Sequence, residues 1–205
     1  MKFFITGSST DVGKTIASAI VTEALEADYW KPVQAGDLEN SDSHKIKRYI
    51  SNARTKIHPN SYALNTPASP HFAAELDSIT IDVSEISEPQ TENHLVIEGA
   101  GGLLVPLNEN ETIADLIQPD YKVIVVSRHY LGSISHTLLT IEALQHRQAN
   151  IAGIIFSGDE NASTEGIILR KTKLEMIGRI ENEPYFDKNV IAEYASLFRE
   201  KLLKS

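Results

Sequence analysis

Cysteine is missing from all 205 residues. That absence removes disulfides, thiolate zinc sites, iron–sulfur clusters and a cysteine nucleophile, and it fits a reducing compartment. A basic excess is missing too. With 28 acidic against 19 basic side chains the formal net charge is −9, the opposite of what a nucleic-acid-binding surface needs, so no nucleic acid is expected as a partner. No apolar run approaches bilayer-spanning length, and no membrane partner is expected. The opening Met1-Lys2-Phe3-Phe4-Ile5 is too short an apolar run for a signal peptide and leads straight into small residues and glycine; the reading is a cytoplasmic protein. Seven histidines are scattered through the chain without a metal-ligating spacing on one helix, and they read as surface or packing residues.

The apolar content is 41%, enough for a chain of this length to bury a core without covalent staples. Residues 1–205 read as one compact domain. Short β-rich runs alternate with longer amphipathic stretches. Strands are expected at Phe3 to Thr6, Tyr29 to Val33, Leu95 to Glu98, Lys122 to Ser127, Ile151 to Phe156 and Met176 to Ile180. Helices are expected at Lys14 to Ala27, Asp42 to Ser51, Ser133 to Arg147, Thr164 to Leu174 and Asn189 to Lys204. The run Lys122-Val123-Ile124-Val125-Val126-Ser127 is apolar without alternation, as a strand buried on both faces must be. The pattern predicts an α/β fold, a mostly parallel central sheet with helices on both faces, and ligands at the carboxyl ends of the strands. Residues 52–93, with Pro59, Pro67, Pro70 and Pro89, read as loops and short helices. The last helix carries Val190, Ile191, Tyr194, Leu197, Phe198, Leu202 and Leu203 on one side and is expected to pack on the sheet.

The strongest motif is Thr6-Gly7-Ser8-Ser9-Thr10-Asp11-Val12-Gly13-Lys14-Thr15, between a predicted strand and a predicted helix. Small residues let successive backbone N–H groups curl around phosphate oxygens, and the helix N-terminus adds partial positive charge. Lys14 would reach the β- and γ-phosphates and the Thr15 hydroxyl would ligate Mg²⁺. The motif therefore implies ATP and Mg²⁺ in a P-loop fold. Five residues separate Gly7 from Gly13, one more than the strict pattern, and Ser8 takes the strict glycine position.

A metal bound to phosphate needs carboxylates at neighbouring strand ends. Glu98, closing the run His94-Leu95-Val96-Ile97 before Gly99-Ala100-Gly101-Gly102, offers one. Asp42 lies after the second strand, where either it or Ser41 reads equally as a helix N-cap. Lys31, between Trp30 and Pro32, reads either as a surface charge or as a cation aimed into the strand-end cleft. Asp11 is open between a site role and a solvated one.

Taken together these segments resemble dethiobiotin synthetase. The long-spaced phosphate loop is similar to that family's. So are Lys31-Pro32-Val33-Gln34-Ala35-Gly36, Asn40-Ser41-Asp42, Pro67-Ala68-Ser69-Pro70-His71, Glu98-Gly99-Ala100-Gly101-Gly102 with Val105-Pro106-Leu107, Thr112-Ile113-Ala114-Asp115-Leu116, and Leu131-Gly132-Ser133-Ile134-Ser135-His136. They occur in the family's order from residue 3 to about residue 155. The resemblance implies ATP-driven closure of a ureido ring on 7,8-diaminononanoate with CO₂ or bicarbonate. It implies that Gly7, Ser8, Ser9, Asp11, Val12, Gly13, Lys14 and Thr15 hold the nucleotide; that Thr10, Lys14 and Lys31 act on the reacting groups; that Thr15, Asp42 and Glu98 hold Mg²⁺; that Thr10, Lys31, Ser41, Gly101 and Gly102 contact the diamine; and that the protein is a homodimer. Three positions depart from the family. Ala35 replaces a small hydroxyl residue, Ser157 stands where an Asn helps to read adenine, and Gly178-Arg179-Ile180-Glu181 lacks a following-turn proline. Ser157 is the nucleotide contact expected at its position. Two other classes share the motif: switch ATPases of the partition and division-site type, and other ATP-dependent ligases acting on amines.

Overall fold

The computed structural model describes Met1–Ser205. Six strands, all parallel, form the central sheet: β1 (Lys2–Gly7), β2 (Asp28–Trp30), β5 (Leu95–Glu98), β6 (Tyr121–Arg128), β7 (Asn150–Ser157) and β8 (Met176–Ile180), in the order β2-β5-β1-β6-β7-β8. From β1 the chain first builds the β2 side and then crosses to the β6 side. The ends of β1 and its neighbours are thus where the direction of winding reverses, the usual ligand crevice of such sheets.

Period-two alternation assigns the faces. Phe3, Ile5, Val96, Ile124, Val126 and Ile155 pack with α1 (Lys14–Leu25), α2 (Asp42–Tyr49) and α6 (Lys188–Lys204). Phe4, Ile97, Val123, Val125, Ile154 and Phe156 pack with α3 (Pro70–Leu76), α4 (Ser133–His146) and α5 (Ala162–Thr172). Helix α1 buries Ala17, Ile20, Val21, Ala24 and Leu25 at i, i+3, i+4, i+7 and i+8. Glu26 stops it in the left-handed region at φ 48°, earlier than the expected Ala27. Helix α6 lays Ile191, Tyr194, Phe198 and Leu202 on the core as expected, but Leu197 and Leu203, expected on the same side, stay exposed. Its approach to β8 is so close that a Cβ on Gly178 would lie 2.1 Å from Phe198 Cε1. No helix is long and apolar enough to cross a membrane.

The expected strand Tyr29 to Val33 is two strands. The β2 ladder with β5 ends at Trp30, because Pro32 has no N–H to continue it. Beyond Pro32 the chain turns away and β3 (Val33–Ala35) pairs with β4 (Tyr62–Leu64) in a separate two-stranded sheet. Asn60 Nδ2 donates to the Lys31 carbonyl at 2.7 Å, and Ser61 and Tyr62 N–H donate to the Pro32 carbonyl at 2.8 and 3.0 Å. The break leaves Lys31 just past the carboxyl end of β2; residues 52–93 hold the short helix α3 and loops, as the prolines indicated, and also strand β4, which was not expected there.

Candidate active site

The phosphate loop runs from the end of β1 to the start of α1. Two residues bend it through the left-handed region, Asp11 at φ 57° and Gly13 at φ 97°. At Gly13 a side chain is also excluded by space, since its Cβ would lie 2.9 Å from Ser157 Oγ. Val12 is buried in the core and anchors the loop from below. Arg128 Nη1 donates to the Asp11 carbonyl at 3.1 Å, tying the end of β6 to the loop. The Lys14 ammonium donates to the Ser9 carbonyl at 2.9 Å, so the side chain lies along the loop.

Beside the loop, three charged groups from three elements converge. Lys31 follows β2 directly, Glu98 closes β5 and Asp42 opens α2. Lys31 Nζ donates to Asp42 Oδ2 and, at 3.2 Å, to Glu98 Oε1. Thr15 Oγ1 donates to the same Glu98 oxygen at 3.0 Å, and Tyr29 Oη donates to Glu98 Oε2 at 2.9 Å. Lys45 Nζ holds Asp42 Oδ1 at 3.2 Å. Glu98 is 1% and Lys31 5% exposed; carboxylate and ammonium at such depth persist only when paired. Burial pushes the Lys31 ammonium down, but Glu98 and then Asp42 outweigh it and hold it above its usual range. Burial pushes Asp42 up, and Lys31 outweighs that to hold it low. The Tyr29 phenol is raised, by burial first and then by Glu98. Lys14, chiefly through burial, drops to about 8.

Lys31 thus points into the cleft, and Asp42 serves a purpose beyond capping: Ser41 occupies the N-cap position with no side-chain capping bond. Thr10, Asp11, Gly13, Lys14, Thr15, Lys31, Asp42, Glu98, Gly101 and Ser157 line one cleft of about 440 Å³, which continues along Ile180, Glu181, Asn182, Glu183 and Phe186. Ser8, Ser9 and Gly102 line a second cavity of about 440 Å³ on the other side of the loop, with Leu103, Val105, Pro106, His136, Leu139 and Thr140. Thr10 lines both. Ser41 is not brought to the cleft; its hydroxyl pairs with His44 Nδ1 at 2.9 Å, in a separate cavity with His58 and Asn60. Another cavity, about 390 Å³ between Trp30, Ile86, Glu88 and Tyr121, holds none of the expected residues. Sequence reasoning missed Tyr29, Lys45, Arg128 and the Ile180–Phe186 wall. Arg128 ends the Val-rich strand, so the strand-end rule carried a signal for it; for Tyr29, inside a strand, there was none.

Parallel sheet, phosphate loop and converging acids at the strand ends define a P-loop nucleotide-binding protein. The chain matches the model of a family of AAA domains over residues 1–190. It is similar in architecture to the cell division ATPase MinD of Pyrococcus furiosus, with a TM-score of 0.58 at 10% identity, covering 97% of this chain and 98% of that one; the likeness speaks for the fold alone. In sequence it is 61% identical to the ATP-dependent dethiobiotin synthetase BioD of Christiangramia forsetii, over 98% of this chain and 97% of the relative. It is 49% identical to that of Cytophaga hutchinsonii, over 95% of each. The chain belongs to the dethiobiotin synthetase family, and is an ATP-dependent ligase of biotin biosynthesis.

Proposed function

We propose that the chain joins CO₂ to 7,8-diaminononanoate at the junction of the two cavities, with residues 1–205 acting as one domain. The observation that carries this reading is that Thr10 lines both spaces. One is charged and follows the phosphate loop. The other combines hydroxyls with Leu103, Leu104, Val105, Pro106 and Leu139, a lining suited to an aliphatic chain with polar ends. ATP takes the first, with its phosphates on the backbone of Gly7, Ser8, Ser9, Asp11, Val12 and Gly13 and on Lys14; Ser157 lies against the loop at Gly13. The diamine takes the second, along Gly102, with Gly101 beside Thr10 where the two spaces meet.

The donors fit Mg²⁺. Asp42 and Glu98 share the Lys31 ammonium and Thr15 bonds the same Glu98 oxygen, so two carboxylates and a hydroxyl would be at hand to hold the ion. No cluster of three or more His, Cys, Asp or Glu makes a self-sufficient cage, so phosphate and water would complete the shell, as is usual for this ion. When bound, Mg²⁺ neutralises charge on the β- and γ-phosphate oxygens.

In the proposed sequence, one substrate amine attacks CO₂, forming a C–N bond and losing a proton to give a carbamate. A carbamate oxygen then attacks the γ-phosphorus and the bond to ADP breaks. The second amine attacks the carbamoyl carbon, closing the ring as inorganic phosphate leaves. Lys14 and Lys31 stabilise charge on the transferring phosphoryl group and the carbamate, and Thr10 orients the carbamate between the cavities. Leu104, Leu131 and Leu139 are apolar and exposed around the second cavity and α4, which supports a homodimer closed over that face. The test is phosphate release from MgATP with bicarbonate, with and without the diamine, and mass detection of dethiobiotin. Turnover that requires the diamine and yields the ureido product is expected; ATP hydrolysis indifferent to the diamine would sink the substrate assignment.

A further inference from the structure

The charged cleft does not end at the phosphate loop. It extends along the segment that leaves β8, and there it changes character: Ile180 and Phe186 are apolar, and Asn182 is the one carboxamide in the lining. Ser157, by contrast, is drawn onto the loop, its Oγ only 2.9 Å from where a Gly13 Cβ would stand. A serine there brings one short hydroxyl, where a two-point match to a base edge needs a carboxamide.

Asn182 is presented by a fixed piece of backbone. The Gly158 N–H donates to the Ile180 carbonyl at 2.8 Å, the Glu183 N–H to the Glu181 carbonyl at 3.0 Å, and the Glu181 N–H to Tyr194 Oη at 3.1 Å. Asn182 is the tip of this tight turn. Its side chain lies over Gly158, whose Cβ, if present, would be 4.0 Å from Asn182 Oδ1. The residues on either side are held as well: Glu181 by Arg179 Nη1 at 3.2 Å, Glu183 by Tyr194 Oη at 2.6 Å. Arg179 is in turn fixed by Glu165, through Nε to Oε1 at 2.9 Å and Nη2 to Oε2 at 2.7 Å. The carboxamide of Asn182 takes part in none of these bonds.

We propose that the Asn182 carboxamide reads the nucleotide base in this chain and selects a purine with an amino group at position 6. The inference rests on the reading that ATP occupies this cleft with its phosphates on the loop. An Asn amide matches an adenine edge in two places at once, its oxygen accepting from N6–H and its nitrogen donating to N7. A 6-oxo purine offers two acceptors on that edge and meets only one match. The neighbouring carboxylates of Glu181 and Glu183 are acceptors too, so they favour the exocyclic amine and oppose a carbonyl oxygen at the same point. Phe186, partly exposed and backed by the buried Ile180, supplies the apolar surface that a planar base requires.

Calorimetric binding of ATP, ITP and inorganic tripolyphosphate to the full chain tests this. ATP and ITP differ at the purine 6-position, and tripolyphosphate reports the loop alone. In the unaltered protein ATP is expected to bind about ten-fold more tightly than ITP. Asn182→Ala should bring ATP down to the level of ITP and leave tripolyphosphate unchanged, and Asn182→Asp, which keeps the acceptor and loses the donor, should fall between. Asn182 is exposed at a turn tip, so neither substitution disturbs a core. An unchanged ATP-to-ITP ratio in Asn182→Ala, or its collapse in Ser157→Ala instead, overturns the proposal. Failure of the underlying reading is separate: Lys14→Ala would then leave tripolyphosphate binding intact.

Discussion

Removing one oxygen tests how Glu98 is held. Tyr29 is fully buried and donates to Glu98 Oε2 at 2.9 Å, while Oε1 faces Thr15 and Lys31. Tyr29→Phe keeps the ring and its packing but deletes that donor. Because Glu98 is 1% exposed, water cannot replace the lost bond. A hydrogen bond to a charged group contributes about 1.5–3 kcal/mol, and the orphaned carboxylate oxygen places the cost toward the upper part of that range, near 2.5 kcal/mol. Urea unfolding should show it as a lower midpoint with an unchanged slope, since the surface exposed on unfolding is the same. The second readout separates support of the core from support of the site. If Tyr29 fixes which Glu98 oxygen faces the cleft, Mn²⁺ binding to the ADP complex, followed by paramagnetic resonance, should weaken by about ten-fold in the variant, in line with the loss of a hydrogen bond that orients a metal-holding carboxylate. A destabilisation below about 0.5 kcal/mol, or full metal affinity beside a normal loss of stability, would refute the argument.

Three further outcomes follow from the same contacts. Lys31→Ala leaves Glu98 and Asp42 facing each other without their shared cation, and should cost about 3–5 kcal/mol of stability in metal-free buffer while abolishing diamine-dependent phosphate release; a stable variant would mean the acids are solvated. Glu165 is held below the usual carboxylate range because, against the upward push of burial, Arg179 and then His129 favour its charged form. Its folded value lies below the unfolded one, so its contribution is present above the unfolded value and is lost as pH falls through the folded value; Glu165→Gln should lower stability at neutral pH by about 2 kcal/mol and flatten the acid limb, and an unaltered limb would contradict this. Gly178→Ala places a methyl group where Phe198 already stands, so a loss of about 2–3 kcal/mol is expected on thermal or urea unfolding, with tripolyphosphate affinity unchanged.

Much of the fold could be read from the chain because its signals are local. A run such as Val123 to Val126 has few options other than a doubly covered strand, and a Gly-Lys-Thr after a strand fixes both a loop and a helix start. The break at Pro32 was the clearest miss: the apolar stretch from Tyr29 to Val33 looked continuous, although the proline within it already forbade a ladder bond. In the site, Lys14, Thr15 and Glu98 were legible from motif and strand end. Lys31 and Asp42 were ambiguous, because what makes them partners is a contact between β2 and α2 that no spacing encodes. Tyr29 was invisible for the same reason, as it meets Glu98 across two neighbouring strands. The wall from Ile180 to Phe186 belongs to the far edge of the sheet and reaches the cleft only after three further strands have been laid down.

The excursion between β2 and β5 has a consequence for how such a chain can change over time. These strands are neighbours in the sheet, yet between them the small β3–β4 sheet lies outside it, while α2 and Ile57 stay packed against it. Lys31 and Glu98, 67 positions apart, touch at the two points where the excursion departs and returns. The clasp lies at the neck of the loop, so changes in the β3–β4 sheet that spare Asp42 and α2 leave the neck and the phosphate loop in register. A scaffold of this kind can exchange what it accepts on one side while keeping the same energy source on the other, and the residues that must stay constant are those that hold the neck shut.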